Sequence, residues 1–104
     1  MIIQQGDVLI RKIDSIPTNA IKVEKNVLAE GEVTGHKHQL EVTEKTDLID
    51  FYELNGKIYL NVKKFPVKVL HQEHQIVTIP VGIWEVDRVK EYDHFLEETK
   101  KIQD

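Results

Sequence analysis

Asn55-Gly56 stands between two runs of alternating apolar and polar residues in TDLIDFYELNGKIYLNVK, and no other stretch narrows the fold as far. An Asn-Gly pair suits the two positive-φ positions of a type I′ turn, which joins adjacent antiparallel strands directly. Pairing outward sets Leu54 opposite Lys57, Glu53 opposite Ile58 and Phe51 opposite Leu60. Ile49, Phe51, Ile58, Leu60 and Val62 then share one face, with Asp50, Tyr52, Tyr59 and Asn61 on the other. A slip of one residue would mix these faces, so the apolar pattern itself selects this register.

The same period of two recurs along most of the chain. DVLIRKI (7–13) reads as a strand closed by the turn Ser15-Ile16-Pro17, and residues 21–29 as a second extended stretch ending at Glu30-Gly31. HKHQLEVT (36–43) is a third, with His36, His38, Leu40 and Val42 on one face. PVKVLH (66–71) places Val67, Val69 and His71 together, and IVTIPVGIWEVDRV bends at Pro80-Val81-Gly82. Trp84 and Val86 share a parity and are core candidates. Tyr52 and Tyr59 are expected to pair across strands on the outer face, with a lesser role at an interface. The spacing changes to helical in YDHFLEETKKIQD, which predicts a short C-terminal helix over about 93–103 with Asp93 as N-cap.

Seven or eight short strands and a terminal helix in 104 residues predict one all-β domain, 1–104. Their faces need closure or a second sheet to be buried, hence a small antiparallel β-barrel or sandwich.

Composition narrows the function. There is no cysteine, which excludes disulfides and thiolate metal sites. The formal net charge is −4, and basic runs such as Lys63–Lys64 and Lys100–Lys101 are no longer than two residues, too short to track a phosphate backbone. Neither a signal-peptide core nor a membrane-length apolar run occurs, so a cytoplasmic chain with no membrane partner is expected. Ser15 is the single serine, far in sequence from any histidine, and phosphate-loop, dinucleotide and nucleophile-elbow motifs are missing.

Four of the five histidines fall in two tight pairs, His36/His38 in TGHKHQL and His71/His74 in LHQEHQIV. If 36–43, 47–54, 57–63 and 66–71 form a meander that curls into a barrel, its first and fourth strands approach. Both pairs then lie near one rim, facing the interior. Alternate residues on a strand lie about 7 Å apart along one face, close enough for two imidazoles to share an ion. His36, His38, His71 and His74 are therefore candidate ligands for a divalent transition metal, zinc first, with iron or nickel as alternatives. Glu73, inside HQEH, is the candidate catalytic acid/base for a hydrolase or other metalloenzyme; Glu41 lies on the wrong parity without a bulge. Three histidine ligands would leave a position for water or a small-molecule substrate, whereas four would close a structural site. The rival readings are a pH-responsive histidine cluster and a non-catalytic protein-interaction module, and homo-oligomerisation through open strand edges stays open. His94 reads as a surface residue.

Across the whole chain, the segments GDVLIRKIDSIP, LAEGEVTGHKHQL and HQEHQIVTIPVGIWEV, in that order, resemble a group of small uncharacterised bacterial and phage-associated proteins. That likeness implies no activity. Over about half the chain, Gly31…His36-x-His38…Glu41 is similar to the first metal motif of the cupin superfamily. One residue is missing before the histidines, and the glutamate comes early. His71 and His74 precede Pro80-Val81-Gly82 where a cupin's later histidine follows its Pro-x-Gly element. The resemblance implies a β-barrel with a histidine metal site, and nothing about substrate.

Overall fold

In a computed structural model of the chain, residues 1–31, 35–41 and 48–89 are described. They form ten strands: β1 (Ile2–Gln5), β2 (Val8–Ile13), β3 (Ile21–Val23), β4 (Val27–Glu30), β5 (Lys37–Leu40), β6 (Ile49–Leu54), β7 (Lys57–Val62), β8 (Val67–Leu70), β9 (Val77–Ile79) and β10 (Gly82–Arg88). The helix expected over 93–103, and Val42 at the end of the third expected strand, lie outside the described residues. No helix among those described is long and apolar enough to cross a membrane.

All pairings are antiparallel, and the strands divide into two sheets. One has six strands in the order β1-β2-β10-β7-β6-β3, the other four in the order β4-β5-β8-β9. The sheets are not closed on each other, so the closed barrel expected from strand count, and implied by the cupin likeness, is not formed. The meander is corrected too. The β6–β7 hairpin joins the larger sheet between β10 and β3, while β5 and β8 are direct neighbours in the smaller one. Burial without closure is achieved by packing the two sheets over one apolar cluster. Val8, Ile10, Phe51, Leu60, Val62, Trp84 and Val86 come from one sheet; Leu28, Leu40, Val67, Val69 and Ile79 come from the other.

The hairpin has the register its sequence specifies, Leu54 with Lys57, Glu53 with Ile58 and Phe51 with Leu60. Asn55 and Gly56 take φ of 53° and 82°, the positive values a type I′ turn needs. Tyr52 does face Tyr59 across it. Tyr59 is buried, however, so this pair is not the exposed one expected on the outer face. Pro80-Val81-Gly82 is the corner where the chain passes from the small sheet into the large one. There the fully buried Trp84 ring donates its Nε1–H to the Pro80 carbonyl at 2.9 Å, so burial leaves no orphaned donor.

Two elements differ from expectation in a way that matters for function. The extended stretch 21–29 divides into β3 and β4, one in each sheet. The N-terminus is also a strand. β1 pairs with β2 through a two-residue turn at Gly6-Asp7, with Gln5 opposite Val8. Because β1 lies at the edge of the large sheet beside β9, its turn reaches the end of the small sheet where the histidines are.

Candidate functional site

The two histidine pairs meet, by a shorter route than a curled meander. β5 and β8 are hydrogen-bonded neighbours, with Gln39 opposite Leu70. Extending that register by one residue sets His38 opposite His71. Their ring centroids are 4.3 Å apart, those of His71 and His74 4.5 Å, those of His36 and His71 5.6 Å, and those of His38 and His74 6.0 Å. All four histidines singled out in the sequence thus belong to one cluster.

Their surroundings differ. His38 is 4% exposed and stands on the inner face of β5 with Leu40. His36 and His71 are half-buried, and His74 and Glu73 are exposed. Glu73 Oε1 lies 3.7 Å from His36 Nδ1, at the outer margin of the cluster. Glu41 is exposed and takes no part in these contacts.

The loop after β8 is held by one of its own histidines. His71 Nδ1 accepts the backbone N–H of Glu73 at 3.0 Å and of His74 at 3.2 Å. A ring that accepts at Nδ1 carries its proton on Nε2 when neutral. Gln72 Oε1 accepts the N–H of Lys37 at 2.9 Å and fastens this loop to β5. On the other side, Gly31 donates to the His36 carbonyl at 2.8 Å and ties the end of β4 to the residue before β5.

Sequence reasoning missed the N-terminal side of the site. Gln5 is only 2% exposed, and its Nε2 donates to the carbonyls of Val69 at 2.9 Å and Gln75 at 2.8 Å. Both amide hydrogens are spent, so Oε1 faces His38 Nδ1, 2.8 Å away, as an acceptor. That contact requires a proton on His38 Nδ1 and leaves Nε2 of the neutral ring as a bare lone pair. Asp7 Oδ1 lies 3.4 Å from that same Nε2. The other Asp7 oxygen accepts a hydrogen bond from Arg88 Nε at 2.8 Å, and Arg88 also donates to the Glu30 carbonyl at 2.9 Å. Gly6-Asp7 between IIQQ and VLIRKI is itself a hairpin signal of the Gly-Asp kind, which could have disclosed β1 and this turn.

Burial and charge set the protonation states. Burial lowers the pKa of His38, and the neighbouring His71 lowers it further; the opposing pull of Asp7 does not reverse the shift. Desolvation, then His74 and His36, lower that of His71. Burial alone would raise the pKa of Asp7, but the Arg88 guanidinium outweighs it and holds the carboxyl below its ordinary value. At neutral pH the cluster therefore sets neutral His38 and His71 rings beside an ionised Asp7. In the side-chain positions present, no group of three or more His, Asp or Glu side chains among the described residues forms a ready-made metal site.

Residues 4–89 match the family described as a domain of unknown function, DUF8820, and the chain belongs to that family. No curated protein and no solved structure shows significant similarity to it.

Proposed function

We propose that the chain is a metal-binding protein whose divalent ion sits among His36, His38, His71 and His74, zinc first, with iron or nickel as alternatives. The observation that carries this reading is the convergence of four imidazoles, from β5 and the residue before it and from the loop after β8, linked by four ring-centroid distances of 4.3–6.0 Å. Neutral imidazole is the form that binds a metal. His38 supports the reading best, because its Nδ1–H is held by a buried amide oxygen while Nε2 stays bare, the arrangement that orients metal-bound histidines. His71 is the least available, since ligation at Nε2 would displace that nitrogen's proton or break two backbone hydrogen bonds. Drawing the rings onto one ion needs rotation of half-buried or exposed side chains. Rotamer strain of about 1 kcal/mol is small beside the roughly 10 kcal/mol or more a structural zinc ion contributes.

An incomplete nitrogen shell leaves a coordination position for water, whose pKa the ion would lower towards neutrality. Glu73, beside His36 at the solvent side, then serves as the acid/base of a metal-dependent hydrolase acting on a small molecule. The test is elemental analysis of tag-free protein, with thermal unfolding in zinc and in chelator. One equivalent of ion, lost in His36→Ala/His74→Ala, is expected, with a higher Tm in zinc. A metal-free chain with a Tm indifferent to zinc and chelator would overturn the reading, leaving a non-catalytic interaction or proton-responsive module.

A further inference from the structure

Asp7 stands out once Gln5 has fixed the tautomer of His38 through its 2.8 Å contact with Nδ1. Its Oδ1 and the bare His38 Nε2 are both acceptors, yet they face each other at 3.4 Å. Two acceptors this close repel unless a proton or a cation lies between them. A direct N–H···O bond brings the atoms to about 2.7–3.2 Å. Two ligands each about 2.0–2.2 Å from a tetrahedral ion stand about 3.4 Å apart. The observed separation is that of two ligands spanning one ion.

Both partners are held for the task before any ion arrives. Gln5 fixes the His38 ring and its tautomer, while Arg88 takes the other Asp7 oxygen. His74, its ring centroid 6.0 Å from that of His38, is the available third donor, since the nearer His71 ring at 4.3 Å has its Nδ1 lone pair taken by two backbone N–H groups. The His74 ring lies across Gly6, so closely that a Cβ at Gly6 would stand 2.5 Å from His74 Nε2. That nitrogen therefore sits against the backbone immediately before Asp7. His36 Nδ1 lies 3.7 Å from Glu73 Oε1.

We infer that Asp7 is a ligand of this centre, so that the ion is gripped first between His38 Nε2 and Asp7 Oδ1, with His74 as the next donor. The inference rests on the metal-binding reading and changes its chemistry. Two imidazoles and one carboxylate, from three separate segments, favour a borderline divalent ion such as zinc, iron(II) or cobalt(II) over a soft one such as copper(I). Three ligands would leave at least one position for water or substrate.

Cobalt(II) titration of the full, tag-free chain tests this, with folding monitored by the fluorescence of Trp84. Asp7→Asn is expected to weaken binding by about tenfold or more. Asp7→Cys supplies the discriminating readout, because a thiolate bound to cobalt gives a strong near-ultraviolet charge-transfer band and a free thiol gives none. Appearance of that band establishes position 7 as a ligand. If Asp7→Cys takes up cobalt without the band, or Asp7→Asn binds as tightly as the parent chain, Asp7 is not a ligand although the metal-binding reading stands. If the parent chain takes up no ion, both fall together. Long-range proton–nitrogen NMR of the unsubstituted chain checks the premise without any variant: a proton on Nδ1 of neutral His38 is expected, and one on Nε2 would overturn the inference.

Discussion

Gln5 Oε1 and His38 Nδ1 lie 2.8 Å apart in the interior, and both amide hydrogens of Gln5 are already given to main-chain carbonyls of β8 and of the loop after it. One side chain thus joins β1 to the end of β8 and sets the tautomer of the buried histidine. Gln5→Leu keeps the approximate volume but orphans the His38 N–H and the carbonyls of Val69 and Gln75. Unsatisfied buried groups cost about 1–3 kcal/mol each, softened where water enters. We expect a loss of about 3 kcal/mol in urea unfolding followed by Trp84 fluorescence. A loss under about 1 kcal/mol would show that Gln5 is not the joint described here.

How far the sequence discloses such a joint depends on the range of the interaction. The β6–β7 register was legible because Asn55-Gly56 and the alternation around it are local and agree. The convergence of His36/His38 with His71/His74 was legible as well, since parity sends His38 and His71 to one face, although the pairing that produces it was not. Nothing near β5 says that β8 will be its neighbour while β6 and β7 leave for the other sheet; that choice depends on which faces the two sheets bury against each other. Gln5 and Asp7 were missed for a related reason. A buried glutamine looks like any polar residue of a short N-terminal strand until its partners, Val69 and Gln75, arrive from far along the chain.

Gly6 has two reasons to be glycine. Its φ is +59°, and a Cβ there would meet the His74 ring at 2.5 Å from Nε2 and 2.7 Å from Cδ2. His74 is exposed and can move aside, so Gly6→Ala should cost only the left-handed backbone strain, about 1–2 kcal/mol. The ring itself must shift, and the His74 Cε1–H resonance with it. A spectrum in which that resonance stays in place would contradict the close approach.

At the far end of the hairpin, Gly56 has φ of 82° with nothing within 4 Å of a Cβ built on it. Space is therefore no obstacle, and Gly56→Val isolates the backbone term for a β-branched residue. A loss of about 1–2 kcal/mol is expected, with the histidine resonances unchanged. Displacement of those resonances would mean that the turn and the cluster are coupled in a way the two-sheet arrangement does not provide.

Asp50 gives the fold an acid-sensitive contact away from the histidines. Its side chain is 12% exposed and accepts Lys22 Nζ at 3.1 Å and Lys63 Nζ at 3.2 Å. Burial would raise its pKa, but the hydrogen bonds and charges of the two lysines outweigh burial and leave it lowered from 3.8. A carboxyl whose folded pKa is depressed stabilises the fold fully above its unfolded pKa of about 3.9 and loses that contribution as pH falls through the folded value. Asp50→Asn should therefore cost roughly 1–2 kcal/mol at pH 7, the lysines being partly in solvent. The gap to the parent chain should stay constant down to about pH 5 and close below about pH 4. Glu53, 34% exposed and paired with Lys25 at 3.1 Å, is the control. Its replacement by Gln should cost about 0.5 kcal/mol or less. Urea midpoints for the three chains between about pH 3 and 7 give the comparison. An Asp50→Asn gap that persists unchanged at the acid end would show that shape and hydrogen bonding, not the carboxylate charge, carry this contact.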